Sequence, residues 1–327
     1  MENIFNYLLS SPNVVDFSNE SKKTKQPKLP QDILHDVLLY GPKMYKVYTI
    51  PKKNGGKRVI AHPSRGLKVV QRDLVVFLEK ILPVHNSAYA YIKNRSIKDN
   101  AHYHSKNRYH LKMDLSNFFN SIDTELFFTQ LDTNGVTFNS DEMYLLQRSL
   151  FWSPTKSEIG KLITSVGAPS SPLISNFIMN TYDFMISDIC KSLEVKYSRY
   201  ADDMFFSTNI KDILFTLPNI VDYILDTIYS GKLRVNSAKT KFSSKAHNRY
   251  ITGLVITNDA KVSIGRSRKR LISSLVHKHQ LGLLEPDSVS SLQGLLGFVR
   301  SVEPEFLDRL VKKYGDYEIQ RIIKGLV

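Results

Sequence analysis

The sequence predicts an α+β fold, with a mixed body running to about residue 257 and a small helical carboxy-terminal unit after it. Three observations carry that expectation. Short apolar segments at 109–114 and 195–207 alternate in character and end at aspartates or a tight turn. Apolar residues recur at helical spacing in between and dominate beyond residue 257. No internal repeat is visible, and the 327 residues allow one large domain or about two to three smaller ones.

In chain order, residues 1–36 read as a short amino-terminal element plus a polar, basic stretch, Ser21 to Lys28, punctuated by Pro27 and Pro30. That stretch fits a linker or an arm lying on nucleic acid equally well. Residues 45–60 pattern as a β-hairpin: apolar and polar positions alternate to Ile50, and Asn54-Gly55 tolerates the positive φ of a turn. Leu67, Val70, Leu74, Leu78 and Ile81 mark a helix over 67–82. A strand from Tyr109 runs into Asp114, and a helix follows from Thr124. Ser140 is positioned to cap another helix, with Asp141 and Glu142 opposing its dipole. Residues 164–172, rich in Gly, Pro and Ser, form a loop entering a helix from Leu173. Two strands flank a turn at Ala201-Asp202-Asp203. Leu292, Leu295, Leu296, Val299 and Val302 form one late apolar face, and Phe306, Leu307, Leu310, Val311 and Tyr314 a second, with Gly315 as C-cap. The resulting division is 1–36, 37–257 and 258–327.

Charge narrows the partner. Lys and Arg number 45 against 31 Asp and Glu, a formal net charge of +14, which favours a polyanion, nucleic acid before an anionic membrane surface. No run of 18 apolar residues exists, and no apolar segment follows the amino terminus. Cys190, the lone cysteine, excludes an intramolecular disulfide framework and a cysteine zinc site, so a cytoplasmic location is expected.

Asp202-Asp203 is the sharpest local feature. Adjacent side chains on a regular strand point to opposite faces, so neighbouring carboxylates converge only where the chain turns. Tyr197, Tyr200, Phe205 and Phe206 around them specify a buried sheet. Carboxylates beside such a core need a partner or a metal. Asp114 ends another apolar strand and offers a third ligand. With no His or Cys cluster nearby, hard oxygen donors point to Mg²⁺. Taken alone, an Asp-Asp turn is more often a solvated hairpin tip, and a lone Asp more often a cap.

The order of motifs resolves that choice by resemblance. Tyr200-Ala201-Asp202-Asp203 resembles the YADD box of bacterial reverse transcriptases, and Asp114-Leu115-Ser116-Asn117-Phe118-Phe119 their first aspartate block. Gly167-Ala168-Pro169-Ser170-Ser171-Pro172-Leu173-Ile174-Ser175-Asn176 is similar to the loop and helix that hold template and incoming nucleotide. Leu233-Arg234-Val235-Asn236 and Lys239-Thr240-Lys241 resemble the next block. Asn100-Ala101-His102-Tyr103-His104 matches the NAxxH pattern of retron reverse transcriptases, and Ile251-Thr252-Gly253 nearly matches their VTG pattern.

The resemblance implies a right-hand polymerase: fingers, an antiparallel palm sheet backed by helices, and a compact thumb. It makes Asp114, Asp202 and Asp203 the ligands of two Mg²⁺ ions and Lys239 the proton donor to leaving pyrophosphate, with Lys241 as the nearby rival. Arg58, with Lys57 and Lys52 as weaker candidates, would neutralise the triphosphate of a dNTP substrate. Phe119 stands where a steric gate excludes a ribose 2′-hydroxyl, while Phe118 reads as core. Gly167 and Pro169 shape backbone beside template or nucleotide, Asn176 helps orient the site, and Tyr200 faces the primer end. Arg266, Arg268, Lys269 and Arg270 fit a thumb gripping RNA through phosphates and 2′-hydroxyls; otherwise they are a solvated face. Asn100 and His104 otherwise read as local packing.

One departure stands out: the family's usual Pro-Gln before the glycine of the third block is Ser165-Val166 here, and Val166 offers no side-chain hydrogen bond. The implied activity is RNA-directed DNA synthesis on a structured noncoding RNA that is both template and primer, started from an internal guanosine 2′-hydroxyl. Its product is a branched RNA–DNA hybrid (msDNA) that stays bound, in antiphage defence with a separate effector protein and no membrane partner. No nuclease or ribonuclease H segment is expected. The rival readings are a diversity-generating or abortive-infection reverse transcriptase, and an RNA-binding scaffold restraining a toxin.

Overall fold

The computed structural model describes residues 3–21, 28–52, 55–157 and 160–325. The chain opens with helices α1 (Ile4–Ser10), α2 (Pro12–Ser21) and α3 (Pro30–Tyr40). This is more structure than a short element and a linker. The side chain of Asp73 explains part of it: its buried carboxylate accepts from the Ser11 hydroxyl, the Asn13 amide and the Val14 N–H, tying the α1–α2 junction down. Residues 22–27 of the basic stretch lie outside the described residues.

A two-stranded sheet follows, β1 (Tyr45–Pro51) against β2 (Lys57–Pro63), antiparallel from Tyr45↔Pro63 to Pro51↔Lys57. Its expected turn includes Asn54, outside the described residues. Next come α4 (Arg65–Leu78), α5 (Ile97–His104), β3 (Tyr109–Asp114), α6 (Phe118–Ser121), α7 (Thr124–Thr133) and α8 (Ser140–Leu150). Helix α4 ends four residues before the expected Leu82. Ser140 does not cap α8. Asn139 does, because its Oδ1 accepts from Glu142 N (2.9 Å) while Glu142 Oε2 accepts from Asn139 N (3.2 Å), a reciprocal capping box. Helix α9 (Ser171–Ile178) starts two residues earlier than expected, since Pro172 suits the first helical turn.

Helix α10 (Asn180–Ser192) leads to β4 (Lys196–Tyr200), β5 (Asp203–Thr208), α11 (Leu217–Tyr229) and β6 (Lys241–Ser244). These strands form an open four-stranded sheet with β3, in the order β4-β5-β3-β6, antiparallel at every pairing. Alternation gives the sheet two unlike faces. Leu111 and Met113 stand opposite Phe206 and Met204 on the face that enters the main core with α9 and α10. Asp114, Lys112 and His110 stand opposite Asp203, Phe205 and Ser207 on the other. All three aspartates therefore sit at one end of the sheet, where β4 turns into β5.

A third sheet, β7 (Arg249–Ile251), β8 (Leu254–Ile256) and β9 (Val262–Ser263), precedes helices α12 (Arg266–Gln280), α13 (Pro286–Val302), α14 (Pro304–Tyr314) and α15 (Asp316–Lys324). It straddles residue 257. Ile251, Leu254 and Ile256 join Leu292, Leu296, Val299, Phe306 and Leu310 in a second apolar core, together with Ala101 of α5 and Phe205 of β5. Gly315 terminates α14 at φ 87°, a left-handed conformation that suits glycine. The fold is mixed α+β with open sheets, as the pattern of the sequence requires.

Candidate active site

Register brings the carboxylates together. Asp114 is the residue opposite Asp203, and Asp202 occupies the turn that Ala201 closes at φ 57°. Backbone bonds fix the surroundings: Leu115 N donates to Asp202 O (3.0 Å), Asn236 N to Asp114 O (2.7 Å) and Ser116 N to Arg234 O (2.8 Å). The block around 233–236 is thereby locked to both aspartate segments.

Two lysines stand among the acids. Lys239 Nζ lies 2.8 Å from Asp114 Oδ1 and Lys112 Nζ 2.7 Å from Asp203 Oδ1. Burial pushes the Asp202 and Asp203 carboxyls above the ordinary carboxylate range, and the Asp114 charge adds to it, while Lys112 opposes the shift at Asp203. The hydrogen bond to Asp114 raises Lys239. Among the described residues no three His, Cys, Asp or Glu side chains are grouped so as to hold a metal ion as they stand. Each ammonium is paired with one acid, Lys239 with Asp114 and Lys112 with Asp203. The donor set nonetheless fits a hard divalent cation, because these are carboxylate oxygens whose charge the fold itself leaves incompletely compensated.

A cleft of about 390 Å³ is lined by Phe119, Ser165, Val166, Gly167 and Pro169; none of the three carboxylates lines it. Basic residues join the lining: His62 from β2 and Lys68 and Arg72 from α4. Tyr91 also lines it and is coupled to Asp202, whose charge adds to the burial that raises the phenol. A positively charged, partly aromatic cleft that feels the Asp202 charge suits a nucleoside triphosphate. Gly167 holds φ 123°, and a Cβ there would stand 3.2 Å from Ile60 Cγ2 and 3.3 Å from Ala61 O. Gly167→Ala is expected to cost about 1–3 kcal/mol and to displace the loop from β2, read as a lower melting temperature and a higher KM for nucleotide.

The other expected residues separate. Arg58, Lys57 and Lys52 are exposed on the β1–β2 hairpin and do not line the cleft, although the Arg58 charge acts on the Tyr91 phenol that does. The basic groups that do, Lys68 and Arg72, were missed because their row on α4 looks like any solvated helix face. Phe118 is core, 3% exposed, and Phe119 is partly buried at the cleft. Asn176 turns inward: its Nδ2 donates to Ala90 O (2.9 Å) and its Oδ1 accepts from Arg199 Nη1 (3.0 Å). Tyr200 packs against the second core. Lys241 stands opposite Lys112 on β6, away from the cleft. In the basic cluster, Lys269 pairs with Glu303 and Arg268 lies over Phe298, which leaves Arg266 and Arg270 exposed. Asn100 and His104 are fully buried, packed on the strands β4 and β5 through Ser198 and Ser207.

With that geometry in view, the class follows from comparison. Residues 50–256 match the family described as reverse transcriptase (RNA-dependent DNA polymerase), and the chain belongs to it. It is an enzyme, a nucleotidyltransferase of the RNA-directed DNA polymerase class.

Within that class the chain is a member of the retron reverse transcriptases. It is 45% identical to the Retron Ec83 reverse transcriptase of Escherichia coli over 86% of this chain and 90% of the relative. It is 33% identical to the Retron Ec73 reverse transcriptase of the same organism, over 85% and 89%. The Retron Mx65 reverse transcriptase of Myxococcus xanthus is 26% identical over 82% of this chain and 64% of its own length. Among the described residues no helix is long and apolar enough to cross a membrane.

Proposed function

We propose that this chain copies a cognate structured noncoding RNA into RNA-linked single-stranded DNA, with Asp114, Asp202 and Asp203 as its catalytic carboxylates. The observation that carries the reading is their convergence: Asp114 opposite Asp203 in register, with Asp202 in the adjoining turn and its charge felt at Tyr91 of the basic, aromatic cleft. Mg²⁺ held by these carboxylates would supply the Lewis acidity that makes a hydroxyl nucleophilic and offsets charge on the triphosphate.

The remaining roles belong to side chains. Lys68 and Arg72 draw the phosphates into the cleft, with Arg58 reaching over from the exposed hairpin. Phe119 crowds the sugar and disfavours a 2′-hydroxyl. Lys239, protonated and beside Asp114, is the acid for the leaving pyrophosphate. Val166 contributes shape instead of a hydrogen bond, and its carbonyl anchors the loop by accepting from Ala61 N (3.2 Å). In this reading 37–257 supply fingers and palm, 258–327 supply a thumb whose Arg266 and Arg270 meet RNA phosphates, and 1–36 buttress the fingers. The RNA is template and primer, the hybrid stays bound in the cytoplasm, and a separate effector completes an antiphage system.

The chain purified with its neighbouring noncoding RNA should incorporate dNTPs and carry DNA joined to RNA through a 2′–5′ branch. Sequencing and debranching of the copurified nucleic acid checks this. DNA joined only through ordinary 3′ ends would sink the self-primed reading while leaving the polymerase class intact.

A further inference from the structure

Helix α5 lies on the same face of the four-stranded sheet as the aspartates, toward the opposite end. Its fully buried His104 spans two strands: Nε2 is 2.7 Å from Ser198 Oγ on β4, and Nδ1 is 2.7 Å from Ser207 Oγ on β5. Proton bookkeeping fixes the directions. The Ser198 hydroxyl donates to Asn100 Oδ1 (2.5 Å), so it accepts from His104 Nε2–H. The ring is neutral, held well below the ordinary histidine value by burial and then by His110 and Lys196, so Nδ1 accepts from the Ser207 hydroxyl. Ser207 Oγ in turn accepts from Asn107 Nδ2 (2.8 Å). One uninterrupted chain of donors thus clamps the two strands that meet at Ala201-Asp202.

The other side of α5 holds the second core. Ala101 packs there with Phe205, Ile251 and Leu254. The β7–β8 turn is Thr252-Gly253, with φ 48° and 79°. Positive φ is unusual for a β-branched residue, and glycine or asparagine would suit that turn better on local grounds. What Thr252 adds is its hydroxyl, which donates to Ile97 O at the start of α5 (3.1 Å). The segments at 100–104 and 251–253, far apart in sequence, therefore meet on one short helix.

We propose that Asn100, His104 and Thr252 are positioning residues. Through them α5 clamps the turn that carries Asp202 and pins the sheet from which the carboxy-terminal helices spring. Those helices are thereby held at a fixed place relative to the acids. The proposal rests on the reading of Asp202-Asp203 as the catalytic turn.

Thr252→Val keeps the shape and removes the hydroxyl; Thr252→Ser keeps the hydroxyl. One hydrogen bond weights the pinned arrangement by about threefold to tenfold. In primer extension on an RNA template with a heparin trap, Thr252→Val should therefore shorten the product of a single binding event by about threefold or more. Its first-nucleotide rate should stay within about twofold of wild type, and Thr252→Ser should match wild type in length. Ser198→Ala breaks the clamp at β4. It should lower kcat for the first addition by about tenfold with KM for dNTP nearly unchanged. Wild-type product length in Thr252→Val, or equally short products in Thr252→Ser, would overturn the pin. An unchanged kcat in Ser198→Ala would overturn the clamp, and the Thr252 pair stays informative if that variant fails to fold. Full incorporation by Asp202→Asn plus Asp203→Asn protein would instead defeat the underlying assignment of the turn.

Discussion

Asp202→Asn combined with Asp203→Asn should abolish nucleotide incorporation, by on the order of a thousandfold or more, and yet melt at a higher temperature than wild type in metal-free buffer. The two effects have one origin. Burial and the neighbouring acids raise both carboxyls above their ordinary range. A carboxyl whose folded-state pKa exceeds its unfolded one binds its proton more tightly when folded. Its favourable contribution is full below the unfolded pKa and is lost as pH rises through the folded one. At neutral pH the ionised pair therefore costs stability, and neutral amides of the same shape relieve that cost. Added Mg²⁺ should raise the melting temperature of wild type and leave the double variant unmoved, since only the former can gain from binding. Calorimetry with and without Mg²⁺, run beside dNTP incorporation, checks both halves. A double variant that still responds to Mg²⁺ and still polymerises would remove these residues from the chemistry.

The same aspartates show what the sequence could reveal. They were legible because a strand cannot bring neighbouring carboxylates together except at a turn, and because apolar alternation marked β3, β4 and β5 clearly. Helices α4, α13 and α14 were legible from apolar periodicity, and α7, α8 and α9 from where a turn or cap starts them. By contrast, α5, α6, α10 and α11 were not read as helices, because their apolar positions are interleaved with motif residues or fall between strands. The Asn139 cap was not legible either, since Asn139 and Ser140 are both good capping residues and only the Glu142 carboxylate selects between them. Lys68 and Arg72 were hidden because their place in the cleft depends on which helix face meets the loop at 165–169, a tertiary fact. Arg58 attracted attention through its motif, and it stands exposed on the hairpin, where its charge is felt at Tyr91 of the cleft. Asn100 and His104 were visible as a pattern without a mechanism. Their partners Ser198 and Ser207 lie about a hundred residues away and carry no signature of their own.

Arg199 and Asp183 escaped notice for the opposite reason, since an arginine inside an apolar strand reads as a solvated edge position. Both are fully buried, with Arg199 Nη2 2.7 Å from Asp183 Oδ2. Tyr197 OH donates to the same carboxylate (2.7 Å), and Arg199 Nη1 reaches both Asn176 Oδ1 (3.0 Å) and the carbonyl of Ala201 (3.1 Å) in the turn itself. The backbone of Arg199 is also committed, donating to Ser87 O and accepting from Tyr89 N, each at 2.8 Å. Asp183→Ala strands a buried guanidinium, which costs about 3–5 kcal/mol and should lower the melting temperature by on the order of 10 °C. Stability alone does not explain the pair, because apolar residues of similar volume often replace a buried ion pair at no loss. Arg199→Met with Asp183→Leu should accordingly recover most of the melting temperature. It should not recover the polymerisation rate, because no methionine can hold the Ala201 carbonyl and Asn176 at once. A double variant restored in both melting and rate would reduce the pair to packing. One restored in melting alone would show that the charge is kept for the turn.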